Sequence, residues 1–413
     1  MKNFTITLIL ISIAISQDLN AQWQTFTNPS DKALHSVYFL NTLTGYTCGD
    51  TGTVLKTTTG GTIWSNSNSG IPNNINMIDI QFLNDNTGYC IGGVGSISGR
   101  VYKSTNGGSS WTQVFDTTGT GFRALYFVNA NTGWVAGANG VVKYTSNGGT
   151  SWQSRNVNVS SLTDVFAFSE DVVFITGFGS AGSIVRSTNG GQSWIFTSVP
   201  SDFADVRFVA FTNVTTGYMG GLKFGGNGIM GKTTNGGLNW FVLPGFEGPT
   251  PIEGAAVSGN TALIVRTDDT LSYTIDGGAT WEKQYVQTGG FDKSISIKMG
   301  LGCIVGRNSI AINTGVSVNQ ISSEIPMKFE LAQNYPNPFN PTTSIKFALP
   351  KSGFVSLKVY DIVGKEVATL VNEQLTAGTY EHNFNASALS SGVYFYRIDA
   401  DNFTEIKKMM LVK

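Results

Sequence analysis

From Leu34 onward, short apolar runs alternate with polar, Gly-rich breaks at a regular interval. The clearest unit reads ALYFV (124–128), GWVAG (133–137), GVVKYT (140–145), a polar SNGG break, and SWQSR (151–155). Runs of this length, bounded by turn residues, predict four consecutive β-strands, the first innermost and the last outermost. The break itself recurs as TTTGGTIW (57–64), STNGGSSW (104–111), TSNGGTSW (145–152), STNGGQSW (187–194), TTNGGLNW (233–240) and TIDGGATW (274–281). Its Trp residues are 47, 41, 42, 46 and 41 positions apart, a period that fits a four-stranded propeller blade.

A propeller has to close, because an open ring leaves strand edges unpaired. After Trp281, SISIKM, GCIVG and NSIAINT supply three further strands and stop near Thr314 without a box or an outer strand. Trp23 in QWQTF lies 41 residues before Trp64 and resembles the segments that follow each box. The expected fold is all-β: a seven-bladed propeller over 22–314, its last blade completed by an N-terminal strand near 22–27. Six blades with a stray terminal strand is the competing arrangement.

Composition agrees, with 50 Gly, 12% aromatic and 13% charged residues in 413. The net charge of −1 gives no basis for nucleic-acid binding. Residues 1–21, with Lys2 ahead of the apolar run FTITLILISIAI, read as a signal peptide, and no later run is long enough to span a membrane. Three cysteines, Cys48, Cys90 and Cys303, all fall in apolar runs and are expected to be small buried hydrophobes rather than a disulfide framework or a metal site.

The box resembles the Asp-box, SxDxGxTW, of bacterial neuraminidase repeats. The whole unit, FxxxxxGWxxGxxGxVxKTxNGGxxW, resembles the photosystem II assembly and stability factor family of secreted or lumenal propellers. Asn106, Asn147, Asn189 and Asn235 stand where that pattern has Asp, Thr59 does so in the first box, and Asp276 alone keeps the acid. Asn and Asp both accept backbone N–H bonds within a turn, whereas acid–base chemistry or metal binding would require the carboxylate. The box residues, with Trp111, Trp152, Trp194, Trp240 and Trp281 as apolar plugs, are therefore expected to be structural.

Residues 315–328 read as a linker. From 329 the pattern changes to FELAQNYPNPFNPTTSIKFALP, VSLKVYDIVGKEVATLV, AGTYEHNFNA and LSSGVYFYRIDA. Alternation predicts six or seven half-buried strands, a small Ig-like sandwich over 329–413. The PNPFNP entry with the YDIxGxEV and SGVYxYRI motifs resembles the type A sorting domain of the Bacteroidota type IX secretion system. That resemblance implies recognition by the secretion machinery and a product released or anchored at the outer surface. An ordinary adhesive Ig-like module is the alternative.

Only His35 and His382 are present, and no HExxH, CxxC or GxSxG spacing occurs, so no metal, cofactor or catalytic constellation is expected. Sialidases resembling the box would imply an Arg cluster and a Tyr/Glu pair, and no such arginine motif is visible. Counting four residues back from the inner-strand Phe places His35, Ile78, Arg123, Asp164 and Arg207 at one ring position. A looser register adds Glu253 and Lys293. These are expected at the channel mouth, opposite the boxes, where polar groups would bind an extracellular protein or glycan. The expected protein is a monomeric, non-catalytic, exported binder; a sialidase-like glycoside hydrolase and a structural surface or adhesion component are the alternatives.

Overall fold

The computed structural model describes residues 23–413 except 95–96, 179–181, 247, 259–260, 275, 287–293, 299–300, 308, 314–318, 323–325, 352, 376 and 387–388. The stretch 1–21 that reads as a signal peptide, and Lys293, lie outside the described residues.

Between Gln24 and Asn313 the described strands form seven four-stranded antiparallel sheets. The innermost strands, Leu34–Phe39, Asn76–Phe82, Phe122–Phe127, Ser161–Ala167, Phe203–Phe211, Ile252–Ser258 and Ser294–Lys298, touch in that order, and the last meets the first again. Blade seven takes its outer strand from the N-terminus: Gln24–Thr27 pairs with Ser309–Asn313, Gln24 opposite Ile312 and Thr27 opposite Ser309. Trp23 is buried among Leu263, Val265, Leu271 and Ile304.

Burial follows the radial order of strands. Second strands such as GYTCG (45–49) and GWVAG (133–137) are buried throughout because a neighbouring blade covers each face, while outer strands such as Gln153–Asn156 are largely exposed. This is why the second strands read as continuous apolar or small runs.

Two glycines of the repeat have separate steric tasks. At the start of the second strand, a Cβ on Gly45, Gly88, Gly133 or Gly217 would collide with the ring of Phe39, Phe82, Phe127 or Phe211 of the inner strand. Those Phe rings fill the blade interfaces. Phe82 stacks on Tyr46 of the preceding blade at 3.5 Å and meets Trp111 edge-on at 5.7 Å; Phe127 repeats this with Tyr89 at 3.7 Å and Trp152 at 6.1 Å. In blade four the pair is exchanged, Ala167 facing Val173, so the bulk moves from one strand to the other.

The second glycine lies at the far end of the same strand. A Cβ on Gly49, Gly92, Gly137, Gly177 or Gly221 would overlap the carbonyl oxygen of Ala33, Asn76, Gly121, Ser161 or Asp205. That close approach accompanies a β-bulge in the inner strand, where the register skips one residue.

The C-terminal residues form two four-stranded sheets around a separate apolar core that includes Leu331, Ile345, Phe347, Leu357, Val359, Tyr396 and Ile398. The stretch read as a linker is corrected in part: Asn319–Ser322 is a strand pairing with Thr379–Glu381 at the edge of one sheet. Edge pairing uses backbone groups, so this short polar segment carries no side-chain alternation that would reveal it. The motifs have clear tasks. Tyr396 donates to Ala332 O and accepts from Asn334 N, both at 2.8 Å, which pins the entry to PNPFNP. Phe339 is buried and exchanges backbone hydrogen bonds with the last strand, through Met410 O and Val412 N. Asp361 caps the DIVGK turn by accepting from Val363 N and Lys365 N.

Candidate functional site

The bulges determine what faces the channel. The skipped residue is His35 in blade one, Ile78 in blade two, Arg123 in blade three, Thr163 in blade four, Arg207 at the second of two bulges in blade five, and Glu253 in blade six. All six line one cavity of about 330 Å³ at the centre of the ring. The boxes follow the third strands, whose ends pair with the glycines that face the inner-strand Phe, so they lie on the opposite face.

The ring position is corrected in blade four. Counting from Phe168 gives Asp164, but the residue equivalent to Phe39 and Phe127 is Ala167, so the ring residue is Thr163. Asp164 also lines the cavity, one step further in, where it matches Asp79 of blade two. Asp79 was not singled out from sequence. Its signal is the shared burial pattern of NMIDIQF and SLTDVFA, which puts an Asp at the fourth position of both strands.

These two carboxylates join inner strands that share no sheet. Asp79 accepts from Ser36 Oγ of blade one at 2.7 Å, from Ile80 N at 2.9 Å and from Leu125 N of blade three at 2.9 Å. Asp164 accepts from Val165 N at 2.8 Å and from Val209 N of blade five at 3.0 Å. Ser294 does the same across the seam, accepting from Val37 N at 3.3 Å. Gln81 spans blades two and three through both backbone groups of Phe127.

Burial pushes Asp79 up to about 6, outweighing its three hydrogen bonds. Burial, reinforced by the charge of Asp79, pushes Asp164 up to about 7. Tyr126, deeper in the channel, is pushed up to about 12 by burial and by neighbouring Tyr38 and Asp164.

A carboxyl that holds its proton more tightly when folded adds stability that is complete below its ordinary value of 3.8 and is lost as pH rises through the folded values. The propeller is therefore expected to be more stable at pH 5 than at pH 8, by on the order of a few kcal/mol. His382 in the sandwich has the opposite sign. It lies between Tyr380 and Phe384 in sequence alternation, its Nδ1 has no hydrogen-bond partner among the described residues, and burial lowers it to about 4. Its contribution is complete above 6.5 and is lost as pH falls through about 4. Scanning calorimetry between pH 4 and 8 should show the two melting transitions moving in opposite directions; both rising with pH would contradict the carboxyl assignment, and both falling with pH the His382 assignment.

At the rim the charges are unequal. His35 Nε2 is 2.9 Å from Asp50 Oδ1. Arg207 is neutralised locally, with Nε 3.2 Å from Asp205 and Nη1 3.0 Å from Glu253. Arg123 donates to Ser161 Oγ at 2.8 Å and lies over the Phe178 ring at 5.8 Å, and no carboxylate pairs with it among the described residues. Among the described residues, the mouth thus offers one uncompensated guanidinium beside an aromatic ring.

The boxes are occupied with holding their own turns. Asn147 Oδ1 accepts from Ser151 N and Thr145 Oγ1, and Nδ2 donates to Ser151 Oγ. Asn106, Asn189 and Asn235 repeat the bond to the backbone N–H four residues on. Asp276 keeps the geometry with one bond reversed, Thr280 Oγ1 donating to Oδ2 at 2.6 Å. In the first box the Thr59 hydroxyl accepts from Ile63 N. Blades are also linked here, since Lys56 and Tyr46 both donate to Gly107 O of the next box, and Lys103 and Tyr89 to Gly148 O. Replacing Asn147 with Asp should therefore change stability by less than about 0.5 kcal/mol, while Ala should cost about 1–2 kcal/mol, by urea denaturation. Equal losses would show that the box needs the amide itself.

Residues 333–413 match the family described as Secretion system C-terminal sorting domain, and residues 15–117 match Photosynthesis system II assembly factor YCF48. The chain joins a propeller similar to YCF48 to a secretion sorting domain. Such a domain, of the type IX system, implies export to the outer surface or the medium. Among solved structures, YCF48 bound to D1 peptide is 16% identical, covering 70% of this chain and 94% of its own at a TM-score of 0.55. YCF48 from Cyanidioschyzon merolae is also 16% identical, covering 71% and 98% at 0.54. The GH74 enzyme of Niastella koreensis is 13% identical, covering 92% and 73% at 0.53. At these identities the likeness is one of fold. No curated protein matches the chain.

Proposed function

We propose that the propeller is an exported, non-catalytic binding protein that takes a protein segment or a glycan at its central mouth, while the sorting domain engages the secretion machinery. The observation that carries this reading is the ring of bulges: six inner strands place a side chain at the same position around one cavity. A bulge re-aims a side chain at some expense to the strand ladder, and convergent polar groups suit recognition. Arg123 beside Phe178 offers a contact for an anionic group on the ligand. The YCF48 structure bound to D1 peptide supports a peptide as one ligand class for this scaffold.

A hydrolase reading draws on Asp79 and Asp164, whose protons are held to near neutrality. Against it, each oxygen of either carboxylate accepts from a backbone N–H that joins or shapes the blades. An acid or base so engaged would have to leave its latch to reach a substrate. The discriminating experiment screens the purified protein on peptide and glycan arrays and on chromogenic glycosides. Retention of an array ligand with no turnover is expected. Turnover that Asp164→Asn abolishes would overturn the proposal.

A further inference from the structure

The three motifs of the C-terminal segment lie far apart in sequence, and strand pairing brings their turns to one end of the sandwich. Gly353–Tyr360 runs antiparallel to Gly392–Ala400 with Tyr360 opposite Phe395, and Gly392 lies opposite Leu411 at the end of the last strand. The DIVGK turn after Tyr360, the start of SGVYxYRI and the C-terminal residues therefore share that end. The PNPFNP entry joins them: Phe339 N donates to Met410 O, Val412 N to Phe339 O and Met410 N to Asn337 Oδ1, each at 2.9 Å.

The two ends of the sandwich differ in surface. At the far end the turn between the last two strands is Asp401 and Asn402, and Asp401 is ion-paired with Lys351. At the motif end the turn residues are Ile362 and Val363, 73% and 82% exposed, and Tyr335, just ahead of PNPFNP, is 82% exposed. Tight turns favour Gly, Asn, Asp and Ser, and an exposed aliphatic side chain there has nothing to pack against. The needs of the DIVGK turn are met by its other members, since Asp361 accepts from Val363 N and Lys365 N and Gly364 takes a φ of 82°. Folding thus gives no reason for two bare aliphatic side chains at this tip, whereas recognition does.

We propose that Ile362 and Val363 are the contact by which a protein receptor of the secretion machinery grips the sorting domain. This rests on the reading of the domain as an export address: a domain read by another protein has to offer it a surface. Lys365 on the same turn and Lys408 on the last strand are exposed, and no carboxylate pairs with either among the described residues. The receptor surface that fits is an apolar socket for the two aliphatic side chains with acidic groups at its edge.

The test expresses full-length variants in the exporting cell and measures the share delivered to the surface and the medium. Ile362→Ser/Val363→Asn puts ordinary turn residues at the tip without changing charge, and it should cut delivery at least about tenfold while the purified protein melts as the wild type does. Ile362→Leu/Val363→Leu keeps the tip apolar and should deliver normally. Ile406→Asn, which removes an exposed aliphatic side chain from the middle of the last strand, should also deliver normally. Normal delivery of the Ser/Asn pair, in cells where removing 333–413 abolishes export, would overturn the proposal and leave the domain's role standing; export without 333–413 would overturn both. A loss in the Leu pair as deep as in the Ser/Asn pair would show that the turn's shape is read and not its apolar surface. A Ser/Asn pair that exports normally but turns a wild-type dimer into a monomer in sedimentation would make the tip a contact between copies of the chain, and would overturn the proposal as well.

Discussion

Removing residues 22–27 should open the propeller and lower its thermal midpoint by more than Trp23→Ala or Asn147→Ala does. These residues supply the whole outer strand of blade seven, four residues in register with Ser309–Asn313. They also carry two aromatic anchors: Trp23, 9% exposed against the blade-six and blade-seven core, and Phe26 against the cluster of Leu34, Leu55 and Ile312. Just downstream, Asn28 clips the turn by donating to Lys32 O and Arg307 O. Losing one buried Trp alone costs about 3–5 kcal/mol, a large fraction of the roughly 5–15 kcal/mol that holds a domain together. The truncated ring also exposes the edge of Ser309–Asn313 to other chains, so aggregation should accompany the loss. Chemical denaturation of the truncated and Trp23→Ala proteins measures it, with Trp23→Ala intermediate. Wild-type stability in the truncated protein would mean that the ring does not depend on this closure.

Removing residues 333–413 should abolish appearance at the cell surface and in the medium. The sandwich owns its core, whose buried members run from Leu331 to Leu411 and include no propeller residue, so the truncation leaves the propeller's own apolar clusters intact. The expected result in fractionated cells is a folded propeller retained within the envelope. Tyr396→Phe is a finer probe. It removes the hydroxyl that ties Ala332 and Asn334 to the central strand, and it should reduce export more than it reduces propeller stability. Undiminished surface delivery of the truncated chain would refute the role of the sorting domain.

Much of the fold was legible because the repeat repeats its steric problems. Every box needs a short side-chain acceptor, and most inner strands pair a Phe with a Gly, so both recur in the text of the chain. The closing strand was legible from Trp23, since a large aromatic at the blade period needs a blade to pack into. The ring of mouth residues was legible to the extent that the Phe–Gly pair held. Blade four exchanged that pair for Ala167 and Val173, and the count slipped by one, to Asp164. Asp79 escaped notice because an acid in an inner strand reads as an exposed polar residue, whereas here it bridges three blades. The strand Asn319–Ser322 left no trace because it is specified by backbone pairing alone.

On the proposed function the two faces of the ring have separate tasks: the mouth recognises a partner and the boxes hold the blades. A binding titration of one array-selected ligand against the wild type, Arg123→Glu and Asn147→Ala tests it directly. Arg123→Glu is preferred to a change at Arg207, which would leave Asp205 and Glu253 facing each other without their cation. The expected result is binding at least about tenfold weaker for Arg123→Glu at unchanged thermal midpoint, and wild-type affinity for Asn147→Ala despite its lower stability. Wild-type affinity in Arg123→Glu together with lost binding in Asn147→Ala would place recognition on the box face and contradict the account.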